Sequence, residues 1–322
     1  MSLINHKLDN KNIHRFSHNA MATIFEIVIE FDDKEYAEQA ATAAFDEINR
    51  LEDELSRFRP NSDVTRINKL RIGEELKLSS DIFECLKSAN EIYNITDGLF
   101  DITAGQIIDR WKTQNHNNLN MEESISNDIG MDKIILDETK HSISVLNDGL
   151  KIDLGGFGKG YAIDVACELL TEWEIDNALL HSGGSTVKGI GKLSGYDGWP
   201  ITISNPSNPS QTIAEIILND FSLSGSGQQK SMHIINPKTE MPINERSGAW
   251  AMCKSAAQSD AMSTTFMIMS VDDINNFCNS HDFISGIVIK NIAPNVGEDD
   301  VFFSDNFVND KNHSLISYIY KT

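Results

Sequence analysis

The sequence lacks any apolar run approaching the roughly 20 residues that cross a bilayer, so no membrane-spanning segment is expected. Its opening, MSLINHKLDNKNIHRFSHN, holds no apolar stretch of the kind a secretory leader needs. Read as it stands, the chain is expected in the cytoplasm; with a leader already removed it would be periplasmic or membrane-anchored. Cysteine is scarce: Cys85, Cys167, Cys253 and Cys278 lie far apart, and none forms a C-x-x-C pair. They read as buried free thiols, which suits a reducing compartment. Positive charge is also short, with 27 Lys and Arg against 48 Asp and Glu and a net charge of −21. That balance argues against nucleic acid or an anionic membrane as a partner. A phosphorylated ligand meets the same repulsion, but charges more than about 8 Å away are largely screened at physiological salt. A bound divalent cation would then control the local field. No internal repeat is present.

What remains is an ordinary globular composition, 40% hydrophobic over 322 residues, enough for one large or two medium domains. The chain is organised around KIDLGGFGKGYAID, Lys151 to Asp164. A short apolar strand, Ile152 to Leu154, is expected to run through Gly155, Gly156, Gly158 and Gly160 into a helix. Small residues before a helix N-terminus allow an anion to approach free N–H groups, and Lys159 adds a positive charge. The stretch reads either as a phosphate site or as a tight strand-to-helix turn without ligand. It is not a Walker A loop, because Asp153 and Gly160 stand where Gly and Ser or Thr are required. It is not a dinucleotide fingerprint either, since its glycines run G-x-G-x-G.

Along the chain, Ala22 to Phe31 alternates as a strand, and Lys34 to Phe58 reads as a long helix. Its inner face would hold Ala37, Ala41, Ala44, Ile48, Leu51, Leu55 and Phe58. Ser62 is placed to cap a short helix. A further helix opens at Asp81 and Glu84 and buries Ile82, Leu86, Ala89 and Tyr93. In TDGLFDIT, Asp97-Gly98 marks a turn, and Asp101 reads either as a functional carboxylate or as the cap of the helix carrying Ile107, Ile108 and Trp111. The polar run from Thr113 to Asp128 reads as a linker or insertion. KIILDETKHSISVL then forms a hairpin turning near Glu138 and Thr139.

Beyond the glycine helix come several strands, a Gly/Ser loop before His233, and the helix SAAQSDAMSTTFMIMS. LISYIYK reads as a last strand. Long helices among antiparallel strands argue for an α+β fold. Asp260 and Thr264 sit one turn apart on the late helix. They are either a polar pair on a solvated face or, among Ala, Met and Phe, a buried oxygen site for a hard cation such as Mg²⁺. His233 alone is either a structural histidine or a catalytic one.

These pieces, in order, resemble the ApbE family of FAD:protein FMN transferases. The landmarks are MAT at Met21, LSRFRPNSDVTRIN, DGLFDIT, IDLGGFGKGYAID, SGG, W-x-I-x-I-x-NP, SGSGQQ, HIINPKT and SDAMSTT, spanning about Met21 to Thr265. The resemblance implies an α+β fold related to duplicated T-fold units, with antiparallel sheets and packed helices. It implies residues 20–322 as one domain of two packed subdomains behind an N-terminal extension, residues 1–19. The implied activity is Mg²⁺-dependent cleavage of FAD, with FMN attached through its phosphate to a Thr or Ser of an acceptor protein and AMP released. The acceptor would be another protein, such as a subunit of a redox complex. The alternatives are an FAD pyrophosphatase giving FMN and AMP, or a flavin-binding protein without chemistry.

Residue by residue, the resemblance implies metal ligands at Asp260, Thr264 and the carbonyl of Ala162. It implies FAD contacts at Met21, Leu99, Phe100, Asp101, Lys159 and Ile234, and a catalytic base at His233. The chain departs from the family pattern at Ala22, where Gly is usual, at Gln228, where Asp is frequent, in a short loop before His233, and at Glu240, where Gly is usual.

Overall fold

The computed structural model describes residues 1–3, 12–113, 128–227, 234–309 and 315–318. Its helices include α1 (Lys34–Leu55), α2 (Asp63–Ile67), α3 (Ser80–Ile95), α4 (Gly105–Thr113), α5 (Gly158–Glu172) and α6 (Ala256–Ile268). None is long and apolar enough to cross a membrane, among the described residues. The chain divides into two compact units. The first comprises Met1–Asn49, Lys159–Ser231 and Asn244–Thr322; the second comprises Arg50–Gly158 and Met232–Ile243, so far as each is described.

The first unit is built on an eight-stranded antiparallel sheet. From one edge to the other its strands are Val301–Phe303, Ser285–Ile289, Gly248–Cys253, Ser222–Gly227, Thr186–Ile190, Ala178–Ser182, Thr23–Glu30 and Ile13–Ala20. A second sheet pairs Trp199–Asn205 with Asn208–Leu218 in its middle. Alternate residues of both sheets meet in one apolar core around Trp199, Ile201, Ile216, Leu223, Trp250 and Ile287. Helix α6 lies against the strands Ser222–Gly227 and Gly248–Cys253.

The second unit holds α2, α3 and α4 with a three-stranded sheet, Glu75–Lys77, Ser142–Val145 and Ile134–Asp137. Ser62 caps α2 by accepting from Thr65 N, and Ser79 caps α3 by accepting from Ile82 N. A cluster of Arg57, Asp109, Asp153 and Lys151 ties the segment after α1, α4 and the glycine stretch together. Arg57 bonds Asp153 at 2.7 Å and also Asp109, and Lys151 bonds Asp109 at 2.9 Å. Although burial pushes the Asp109 carboxyl up, its bonds to Lys151 and Arg57 bring it below the usual range.

Three expectations need correction. The long helix ends at Leu55, and Phe58 is 80% exposed rather than on the buried face. Among the described residues the segment Ile152 to Leu154 joins no ladder, and Lys151 makes an isolated bridge to Ala104. Its backbone is satisfied otherwise: Ile152 bonds both ends of the Asn68 amide, and Asp153 N donates to Ile102 O. Asp101 does not cap α4, which starts at Gly105; its carboxylate instead accepts from Thr103 N and Oγ1. The polar run is outside the described residues from 114 to 127, as is all of the last expected strand except Leu315–Tyr318. All four cysteines are buried free thiols, and burial raises each above its ordinary value.

The hairpin Ile13–Ala20/Thr23–Glu30 closes on Met21 and Ala22 with φ of 49° and 58°. Two left-handed residues are what a two-residue hairpin turn of this twist requires, and Ala22 carries a Cβ where Gly is unstrained. The Ala22 side chain is exposed, so no packing is lost on removing it. Ala22→Gly is expected to stabilise the protein by about 1 kcal/mol, raising Tm by about 2 °C. An unchanged or lowered Tm in thermal melts would show that the turn is not strained.

Candidate functional site

The glycine stretch leads from the second unit into the first at Gly158 and Lys159, where α5 begins. Its glycines are not equivalent. A Cβ on Gly158 would meet only Leu154 Cβ at 3.7 Å, an ordinary contact. A Cβ on Gly160 would overlap the Ala256 carbonyl. Gly160 therefore permits the close approach of α5 to the start of α6.

A carboxylate then locks that approach. Asp164, one turn further along α5, accepts from Ala256 N at 2.8 Å, Ala257 N at 2.9 Å and Ser255 Oγ at 2.7 Å. Ser255 is itself the N-cap of α6, accepting from Gln258 N. The negative charge sits at the positive end of the helix, where it is favoured. Lys188 Nζ reaches the same carboxylate at 2.5 Å. Burial pulls the Lys188 ammonium down, but the Asp164 charge and bond override it, leaving it above its ordinary value. Asp164 and Lys188 were not singled out from sequence; Asp164 was visible as the last letter of KGYAID, and Lys188 carried no local signal.

The two helices present Asp260 to this junction. Asp260 is 4% exposed, and its Oδ2 lies 3.4 Å from Gly160 N and 3.7 Å from Lys159 Nζ. The positive end of α5 thus faces a carboxylate of the chain itself. Both contacts are long for a buried carboxylate, which ordinarily takes short charge-assisted bonds. Thr264, one turn on, has Oγ1 3.1 Å from Ser226 Oγ. Ala162 is fully buried on α5, two residues past Gly160. Asp260, Thr264 and the Ala162 carbonyl offer oxygen alone, the donor type that hard cations prefer. No group of three His, Cys, Asp or Glu side chains could hold a metal among the described residues. A cation here would depend on one carboxylate supplemented by neutral oxygens.

The remaining expected residues are distributed between the units. Met21 lies in the hairpin turn of the first. Leu99, Phe100, Asp101 and Ile234 belong to the second. Phe100 is buried, its ring 6.1 Å from that of Phe157, and Ile234 is buried as well. Burial pushes the Asp101 carboxyl up against the two bonds from Thr103 that pull it down. His233 and Gln228 lie outside the described residues. Glu240 adopts a φ of 58°, a conformation Gly takes freely, and is held by Arg110 at 3.2 Å and by Trp111 Nε1 donating to its carbonyl at 2.8 Å.

The ApbE family profile matches residues 21–288. The chain belongs to the ApbE family. Among its relatives, the FAD:protein FMN transferase of Buchnera aphidicola is 27% identical over 284 residues, covering 82% of each chain. That of Vibrio cholerae is 27% identical over 250 residues, 69% of this chain and 72% of the relative. In fold, this ApbE chain is similar to the flavinyl transferase ApbE of Pseudomonas stutzeri, with a TM-score of 0.80 at 17% identity over 92% of this chain and 96% of that one. It is also similar to the ApbE protein of Thermotoga maritima, with a TM-score of 0.78 at 24% identity over 92% and 98%. The α+β expectation, with its antiparallel sheets and packed helices, is borne out.

Removing Lys188 takes the charged partner from Asp164 but leaves its three bonds at the start of α6, so the loss is about 2 kcal/mol, the scale of one hydrogen bond to a charged group. Lys188→Met is therefore expected to lower the stability of this ApbE protein by about that amount in urea at neutral pH. A base whose folded value is raised contributes fully below its unfolded value and loses that contribution as pH rises through the folded one. Wild type should accordingly weaken above the ordinary lysine range, and Lys188→Met should show a shallower alkaline limb. Parallel alkaline limbs in urea titrations at several pH values would refute the assignment.

Proposed function

We propose that this chain is a Mg²⁺-dependent FAD:protein FMN transferase, residues 20–322 acting as one flavin transferase domain. The relatives carrying that activity in their names support the reading. The observation that carries its metal dependence is the nearly fully buried Asp260 carboxylate, whose contacts to Gly160 N and Lys159 Nζ are long. Asp260, Thr264 and the Ala162 carbonyl would hold Mg²⁺. When bound, the ion supplies charge neutralisation for the FAD pyrophosphate and for the departing AMP.

The chain's own groups bind and orient. Lys159 places a positive charge beside Asp260, suited to a phosphate oxygen. Met21, Leu99, Phe100, Asp101 and Ile234 are assigned to the flavin and nucleotide on the family resemblance. In the transfer, an acceptor Thr or Ser oxygen bonds to the FMN phosphorus. The bond from that phosphorus to the bridging oxygen breaks, and AMP leaves with the electron pair. His233 is assigned as the base that takes the hydroxyl proton, on the resemblance alone. A neutral imidazole suits that task near physiological pH.

Asp260→Asn removes the sole carboxylate of the proposed ligand set while keeping its shape. FAD cleavage and FMN transfer to acceptor peptides, followed by mass spectrometry, should fall by at least about 10²-fold, the scale of losing one electrostatic stabiliser. A chelator should silence wild type, and the variant should melt as a folded protein. Undiminished activity in either case would overturn the metal assignment. FMN and AMP appearing without any labelled acceptor would instead identify a hydrolase.

A further inference from the structure

Three serines of the strand Ser222–Gly227 alternate onto one face. Ser222 and Ser224 bond Ser259, and Ser226 bonds Ser263 and Thr264, all on α6. Each hydroxyl has one proton, so the direction of its bonds can be counted. Ser263 Oγ lies 2.9 Å from Asp260 O and 2.9 Å from Ser226 Oγ; Thr264 Oγ1 lies 3.1 Å from Ser226 Oγ and 3.4 Å from Asp260 O.

Two directions are open. In one, Thr264 donates to Ser226, Ser226 to Ser263 and Ser263 to Asp260 O, using contacts of 3.1, 2.9 and 2.9 Å. In the reverse, Ser263 donates to Ser226, Ser226 to Thr264, and Thr264 must close on Asp260 O at 3.4 Å. The first is shorter at the closing leg. In the first direction the Thr264 proton is committed to Ser226, and the Thr264 lone pairs are left for a cation.

We propose that Ser226 is a positioning residue: it accepts a hydrogen bond from the Thr264 hydroxyl and so leaves the Thr264 Oγ1 lone pairs for a cation beside Asp260. This rests on the metal reading of Asp260 and Thr264 above. Outer contacts of this kind set ligand orientation, and their loss typically weakens metal binding 10–100-fold.

The test uses Mn²⁺ as the hard-cation probe, with free Mn²⁺ measured by electron paramagnetic resonance, with and without FAD, on the full chain. Ser226→Ala should weaken Mn²⁺ binding by about tenfold or more, and Ser226→Thr, which keeps the acceptor, should restore it to near wild type. Ser224→Ala removes a buried hydroxyl from the same strand without touching Thr264 and should leave binding unchanged. Should Ser226→Ala fail to fold, Ser226→Cys keeps the volume with a weaker acceptor and should show the same loss. Wild-type binding in Ser226→Ala together with lost binding in Asp260→Asn would overturn the relay and spare the metal site. Equal losses in Ser224→Ala and Ser226→Ala would reduce the effect to strand packing and also overturn it. Full binding in Asp260→Asn would remove the metal reading and the relay with it.

Discussion

The bond set of the Asp164 carboxylate is what the candidate site depends on. One side chain on α5 satisfies two orphan N–H groups of α6, the hydroxyl of its N-cap and the ammonium of Lys188. Two helices are thereby held at a spacing that only Gly160 tolerates, because any Cβ there overlaps the Ala256 carbonyl. The position of Asp260 against the start of α5 follows from that spacing. Ala162 on α5 and Asp260 and Thr264 on α6 are carried by the two helices that this carboxylate clamps.

Behind the clamp, the strand Ser222–Gly227 presents hydroxyls rather than methyl groups to α6. A buried hydroxyl costs free energy unless bonded, and here Ser222, Ser224, Ser226, Ser259 and Ser263 bond one another or nearby backbone. The arrangement keeps α6 polar on a face that is buried at Ser259 and Ser263 and half-buried at Thr264. It also places the neutral Thr264 one turn from Asp260 on the same helix. The α5–α6 junction thus carries two carboxylates: Asp164, bonded to the start of α6 and to Lys188, and Asp260, whose contacts to Gly160 N and Lys159 Nζ are longer.

The second unit shows the same economy in ionic form. Arg57 spans Asp109 and Asp153, Lys151 completes the set, and three segments remote in sequence are joined by one guanidinium. Two departures from the family pattern acquire a physical meaning in the structure: Ala22 and Glu240 both occupy left-handed backbone, where Gly is usual in the family. Glu240 is held there by Arg110 and Trp111, whereas exposed Ala22 has no bond to its side chain.

Much was legible from sequence because it depends on neighbours along the chain. The periodicity of Ala37 through Leu55, the cap at Ser62, the turn at Asp97-Gly98 and the hairpin around Glu138 are local patterns, and they form largely as read. The Asp260/Thr264 pair was visible as a one-turn spacing, with solvated and buried readings both open. Tertiary structure decided between them by burying Asp260, through contacts some hundred residues away at Lys159 and Gly160. The same distance hid Asp164, Lys188 and Ser226, whose partners lie on elements remote in sequence. It also explains Ile152 to Leu154, where a strand pattern is overruled by the side chain of Asn68. Local propensity and the ordered landmarks determined the elements and the family; burial and long-range hydrogen bonding, which no spacing encodes, decided which polar groups meet.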